Sequence, residues 1–135
     1  MLSNKGKYGL KALMYLAKHE GENIQIKDIA EKENIPRKFL ESILLDLKKK
    51  GLVNSKTGKN GGYWLLKPSK EIMIGDIIRF LDGPLAPVRC ASLTAFLPCS
   101  DCDNVEECKI RWLMKDVRDA ISNILDKKSL KDLTI

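Results

Sequence analysis

Apolar residues recur at three- and four-residue steps through most of the chain, and give way to another pattern only in its middle. Leu10, Leu13, Met14 and Ala17 follow the i, i+3, i+4, i+7 spacing of one helix face, which predicts a first helix at about residues 4–19, ending before Gly21. Ile26, Ile29 and Ala30 predict a short amphipathic helix. Asn34 then stands where a helix-turn-helix needs a residue that tolerates the left-handed region, and Ile35 follows as an apolar plug. Pro36, with fixed φ and no N–H, suits the first turn of a new helix that runs to about Lys50 and is stopped by Gly51. Leu40, Ile43, Leu44 and Leu47 form the buried stripe of that helix, so Arg37, Lys38, Glu41 and Ser42 face away from the core.

Residues 52–56 and 63–66 read as two short strands around the glycine-rich turn of residues 57–62. Three helices followed by a hairpin is the order of a winged helix-turn-helix. Ile74–Leu81 predicts another short helix, broken by Asp82-Gly83-Pro84. Residues 84–108 lack periodicity and predict a long functional loop. Ile110, Leu113, Met114, Val117, Ile121, Ile124 and Leu125 define one long helix at about residues 109–127, with too much apolar stripe for so small a domain to cover fully, so a second copy is the expected cover, alone or together with packing against the chain's own first helix. Ser129-Leu130-Lys131-Asp132 resembles a capped turn. The expected fold is therefore mainly α: a winged helix-turn-helix over 1–83 with a two-stranded β-wing, a cysteine-rich metal-binding loop over 84–108, and a dimerisation helix with a C-terminal turn over 109–135.

Composition sharpens this. With 24 Lys and Arg against 18 Asp and Glu, the net charge of +6 favours a phosphate-rich partner. No apolar run is long enough to span a bilayer and no signal peptide is recognisable, so the expected location is the cytoplasm, without membrane contact. A helix-turn-helix reads the major groove with the N-terminal side chains of its second helix. Arg37 and Lys38 are placed to meet phosphate or guanine, Glu41 to accept from cytosine, and Ser42 lies beside them. In the wing, Lys56 and Lys59 add charge and Asn60 can enter a groove, while Lys5 and Lys7 can clamp the DNA backbone. The turn lacks the spacing and the strand-to-helix setting of a nucleotide loop.

All four cysteines, Cys90, Cys99, Cys102 and Cys108, fall within the expected loop. In a reducing compartment such a cluster points to metal ligation or redox chemistry. Spacing leaves an iron–sulfur cluster and zinc both open, with thiol redox switching behind them. His19 ends the first helix with no catalytic partners around it, and there is no acid/base pair of carboxylates, so an enzyme is not expected.

Ser3-Asn4-Lys5-Gly6-Lys7-Tyr8-Gly9, Phe39-Leu40-Glu41-Ser42, Gly51-Leu52-Val53, Gly61-Gly62-Tyr63, Gly75-Asp76-Ile77-Ile78 and Leu130-Lys131-Asp132-Leu133 together resemble the bacterial winged-helix regulator family that includes IscR, NsrR and CymR. The resemblance implies a homodimeric transcriptional regulator, a repressor, that binds palindromic operators in double-stranded DNA and pairs through its long helix. It further implies, for many members, an iron–sulfur cluster on three loop cysteines that senses redox, nitric oxide or iron–sulfur status. Members like CymR lack the cluster and answer to a protein partner. By this resemblance Cys90, Cys102 and Cys108 match the cluster cysteines, and Cys99 is extra. The resemblance places the family's fourth ligand at a histidine or an acidic residue, positions held here by Arg111 and Tyr8; a guanidinium stays protonated and has no lone pair to give, and Cys99 is proposed as the fourth ligand.

Overall fold

The structure, a computed structural model, describes residues 2–134. Helix α1 (Asn4–Lys18) begins at Ser3, whose Oγ accepts from the Gly6 N–H at 3.0 Å. The Ser3 N–H itself donates to Asp82 Oδ2 at 2.9 Å, which ties the start of α1 to the end of α4 (Ile74–Asp82). α1 and α4 can approach closely because Gly6 and Gly9 face α4: a Cβ at Gly6 would strike the Asp82 carboxylate, and one at Gly9 the Leu81 side chain.

Helix α2 (Ile26–Glu33) ends at Asn34, with φ 53° and ψ 53°, the sole non-glycine residue of positive φ among those described. Ile35 is buried as the plug behind this turn. Pro36 departs from expectation. Its ψ of 126° keeps it outside the helix, so it precedes α3 (Arg37–Lys49) as its cap rather than opening its first turn, while its carbonyl accepts from the Leu40 N–H at 2.9 Å. Gly51, at φ +81°, takes the chain out of α3 as a left-handed stop. The stripe of Leu40, Ile43, Leu44 and Leu47 is fully buried and meets Leu13, Leu16, Ile29 and Ile77 in the core.

Strands β1 (Val53–Lys56) and β2 (Gly62–Leu65) pair antiparallel, Val53 opposite Leu65 and Lys56 opposite Gly62. Ile24 adds a bridge to Tyr63, through N–H···O bonds of 2.9 and 2.7 Å, which anchors the wing to the linker before α2. Gly62 is required at this approach, since a Cβ there would meet Asn23 and the Ile24 carbonyl.

After α4 the chain runs irregularly, with short 3-10 turns at Arg89–Ala91 and Val105–Glu107, into α5 (Lys109–Leu125). Past α5 it returns to the winged domain. Ser129 bridges Met73, Leu130 is fully buried in the same core as α1, and Ser129 and Asp132 cap each other reciprocally. Arg79 and Asp126 form a two-pronged ion pair, both arms 2.7 Å, and Gly75 leaves the room for it. No helix among the described residues is long and apolar enough to cross a membrane.

Candidate nucleic-acid interface and cysteine loop

The N-terminal half of α3 presents Arg37, Lys38, Glu41 and Ser42 to solvent, because the opposite stripe is sunk in the core. Arg37 Nε lies 3.6 Å from Glu41 Oε1, one turn along the helix, so these two partly neutralise each other. A cleft of about 460 Å³ opens between the starts of α2 and α3 and the wing. Gln25, Lys27, Arg37, Lys56, Thr57 and Gly58 line it, with no carboxylate among its walls. α2 begins at Gln25, whose side chain makes no cap hydrogen bond, while its carbonyl accepts from the Asp28 N–H at 3.0 Å.

The structure thus brings Arg37 and Lys56 together and adds Lys27 and Gln25, which sequence reasoning missed. Their signal was position alone: they start the first helix of the helix-turn-helix, the element that crosses the DNA backbone. Lys59 and Asn60 sit at the exposed wing tip, where the Asn60 carbonyl accepts from Asn23 Nδ2 at 2.6 Å. Lys7 is exposed and lies over the Tyr8 ring at 5.3 Å. Lys5 differs from the rest, because its ammonium is engaged by Asp46 at 3.0 Å and joins α1 to α3.

Of the cysteines, Cys90 is buried in the 3-10 turn Arg89–Ala91, Cys99 is exposed, and Cys102 and Cys108 are half-buried, the latter capping α5. The Cys99 thiol is held above its ordinary pKa, by partial loss of water first, and then by the neighbouring Cys90 sulfur, Asp101 and Cys102. Cys90, Cys99 and Cys102 therefore share one neighbourhood. Among the described residues no three His, Cys, Asp or Glu side chains converge tightly enough to hold a metal ion. The donors are nevertheless soft thiols on irregular backbone, the chemistry that zinc and iron–sulfur clusters take, so the donor set fits such a group.

Arg111, in the place of the expected histidine, is buried. Its Nε donates to the Cys90 carbonyl at 2.8 Å, and it sits over the Phe96 ring. It is the one buried residue of α5. Along the rest of the helix Ile110, Leu113, Val117 and Ile124 are exposed, at alternating spacings once Ala120 is included, an apolar seam without cover from its own chain.

A helix-turn-helix with a two-stranded wing and a cationic cleft beside its second helix defines a winged-helix DNA-binding regulator, not an enzyme. Comparison with known proteins gives the family. Residues 2–134 match the Rrf2 family model, described as an iron-dependent transcriptional regulator, and the chain belongs to that family. The regulator CymR of Bacillus subtilis is 38% identical over 98% of this chain and 88% of its own length. The solved structure of B. subtilis CymR, described as the global cysteine regulator of that organism, superposes with a TM-score of 0.80 at 36% identity, covering 99% of this chain and 95% of the other. T. potens IscR superposes at 0.77 and 30% identity, covering 98% and 85%.

Proposed function

We propose that the chain is a cytoplasmic, homodimeric repressor that binds a palindromic operator in double-stranded DNA, its affinity set by an iron–sulfur cluster on Cys90, Cys99, Cys102 and Cys108. One juxtaposition carries the proposal: the turn bearing Cys90 lies against α5, and the rest of α5 offers the uncovered seam on which a second copy would sit. The family description as iron-dependent supports the same assignment.

Arg37, Lys38, Glu41 and Ser42 would meet base edges and phosphates in the major groove, while Lys27, Lys56, Lys59 and Asn60 hold the flanking backbone. Lys7 is a further backbone clamp, and Lys5 acts instead by fixing α1 to α3. A cluster bound to the four thiolates would supply iron–sulfur bonds that oxidants and nitric oxide attack. The cysteines hold the loop closed when ligated. When they are released, the loop loosens beside α5, and the two recognition helices change their separation. Half-sites lie about one helical turn apart, so a small shift costs much affinity.

Purification without oxygen tests this. The expected protein is coloured, with iron and sulfide in fixed ratio to chain, and its operator affinity changes when the cluster is removed. A colourless protein with stoichiometric zinc would replace the cluster by a structural metal. A second reading rests on the proximity of the Cys99 thiol to Cys90: a thiol-redox site. It predicts that operator binding responds to a mild oxidant in metal-free protein, and that Cys99→Ser removes the response.

A further inference from the structure

Arg111 and Arg118 stand two turns apart on one face of α5, and both reach back to the same short segment. Arg111 Nε donates to the Cys90 carbonyl at 2.8 Å, and Arg118 Nη1 donates to the Ala91 carbonyl at 2.6 Å. These are consecutive carbonyls of the 3-10 turn that carries Cys90. Both guanidinium side chains are largely covered, at 10% and 13% exposure. Each is also held from a second side. Glu106 Oε2 lies 3.5 Å from Arg111 Nη1, and Asp119 Oδ1 accepts from Arg118 Nε at 2.9 Å. Hydrogen bonds from a cation are stronger and better directed than those between neutral groups. Two of them on adjacent carbonyls fix the position of the turn and also its orientation along the helix.

We propose that Arg111 and Arg118 are positioning residues that make the Cys90 turn and α5 one mechanical unit. A chemical change at Cys90 is thereby delivered to the helix carrying the apolar seam instead of being absorbed by the irregular loop. The role rests on the assignment of the cysteines as the sensing site, but the linkage itself is measurable in protein without any cluster. Linkage is reciprocal: if α5 holds Cys90, then Cys90 must also bear on α5.

The test uses the reduced, metal-free full chain. Iodoacetamide labelling, resolved by peptide mass spectrometry, gives a rate for each cysteine. Cys90 should be the slowest in the wild type. Arg118→Gln should speed it by about tenfold or more, the effect of losing one charge-assisted hydrogen bond, while Cys102 and Cys108 keep their rates. Arg118→Lys, which keeps the positive charge that Gln lacks, should fall between. Arg111→Lys gives a second, milder probe should Arg118→Gln fold poorly.

Amide hydrogen exchange in α5 is then compared before and after Cys90 is labelled. Exchange should rise in the wild type and rise less in Arg118→Gln, where Arg111 alone still holds the turn. Equal Cys90 rates in all variants, or an α5 response that is absent or the same with and without the arginine, would overturn the clamp. If instead both effects appear, yet wild-type operator binding ignores cluster loss, the sensor reading fails and the clamp stands.

Discussion

On the outer face of α3, Arg37 and Glu41 form an exposed pair at 3.6 Å, of a kind worth under about 1 kcal/mol. Glu41 therefore restrains a cation on the same face where the proposed reading has it accept from cytosine. Glu41→Ala should flatten sequence preference by roughly 1–3 kcal/mol at the base it reads, and leave binding to random DNA unchanged or slightly tighter. Fluorescence anisotropy on operator and scrambled duplexes checks this, and equal weakening on both would remove Glu41 from base selection. Asp126 makes a second residue-scale case. Hydrogen bonds from Arg79 hold its carboxyl below the ordinary carboxylate range. A depressed carboxylate stabilises the fold above its unfolded pKa of about 3.9 and loses that contribution as pH falls through the folded value. Asp126→Asn should thus lower stability at pH 7 by under about 1 kcal/mol for so exposed a pair, read as a lower melting temperature, with the gap to wild type closing below about pH 4.

Helices α1 and α4 cross closely because Gly9 offers no Cβ against Leu81. Gly9→Ala should cost about 1–3 kcal/mol through overpacking, read from urea unfolding, with the exposed face of α3 untouched. α5 poses the opposite problem, since Ile110, Leu113, Val117 and Ile124 stay exposed in a single chain. Each such side chain gains roughly 1.5–3 kcal/mol when fully buried, and a symmetric pairing buries each twice. Leu113→Asp should shift the protein from dimer to monomer in sedimentation or light scattering. It should also abolish tight operator binding while each protomer stays folded, because the core of α1, α3 and α4 lies elsewhere.

For the whole molecule, the +6 charge acts where the fold gathers it, in the cleft of Lys27, Arg37 and Lys56. Lys27→Ala should weaken binding similarly on every sequence and lower the slope of log affinity against log salt by about 1 per protomer. An unchanged slope would place Lys27 off the phosphates. Much of the molecule was legible before folding. The apolar stripe of α3, Asn34 in the turn, Gly51 as the stop and the glycine-rich wing are dictated by short-range constraints on period and backbone conformation, which a chain carries in its own order. Pro36 shows the limit of this, because either side of a helix start suits its ring, and only the following packing chose the outer one. Charged residues were the least legible. Nothing in the order of residues gives the partners of Lys5, Lys27, Arg111 and Arg118. Lys5 is taken up by Asp46, Lys27 by the cleft, and the two arginines by carbonyls 21 and 27 residues away. Local order alone thus determined the helices, the wing and the supply of thiols. Tertiary structure decided which cations stay exposed and which hold the cysteine turn to α5, since a charge takes its partner from whatever folding brings within a few ångströms, and that neighbour can come from anywhere in the chain.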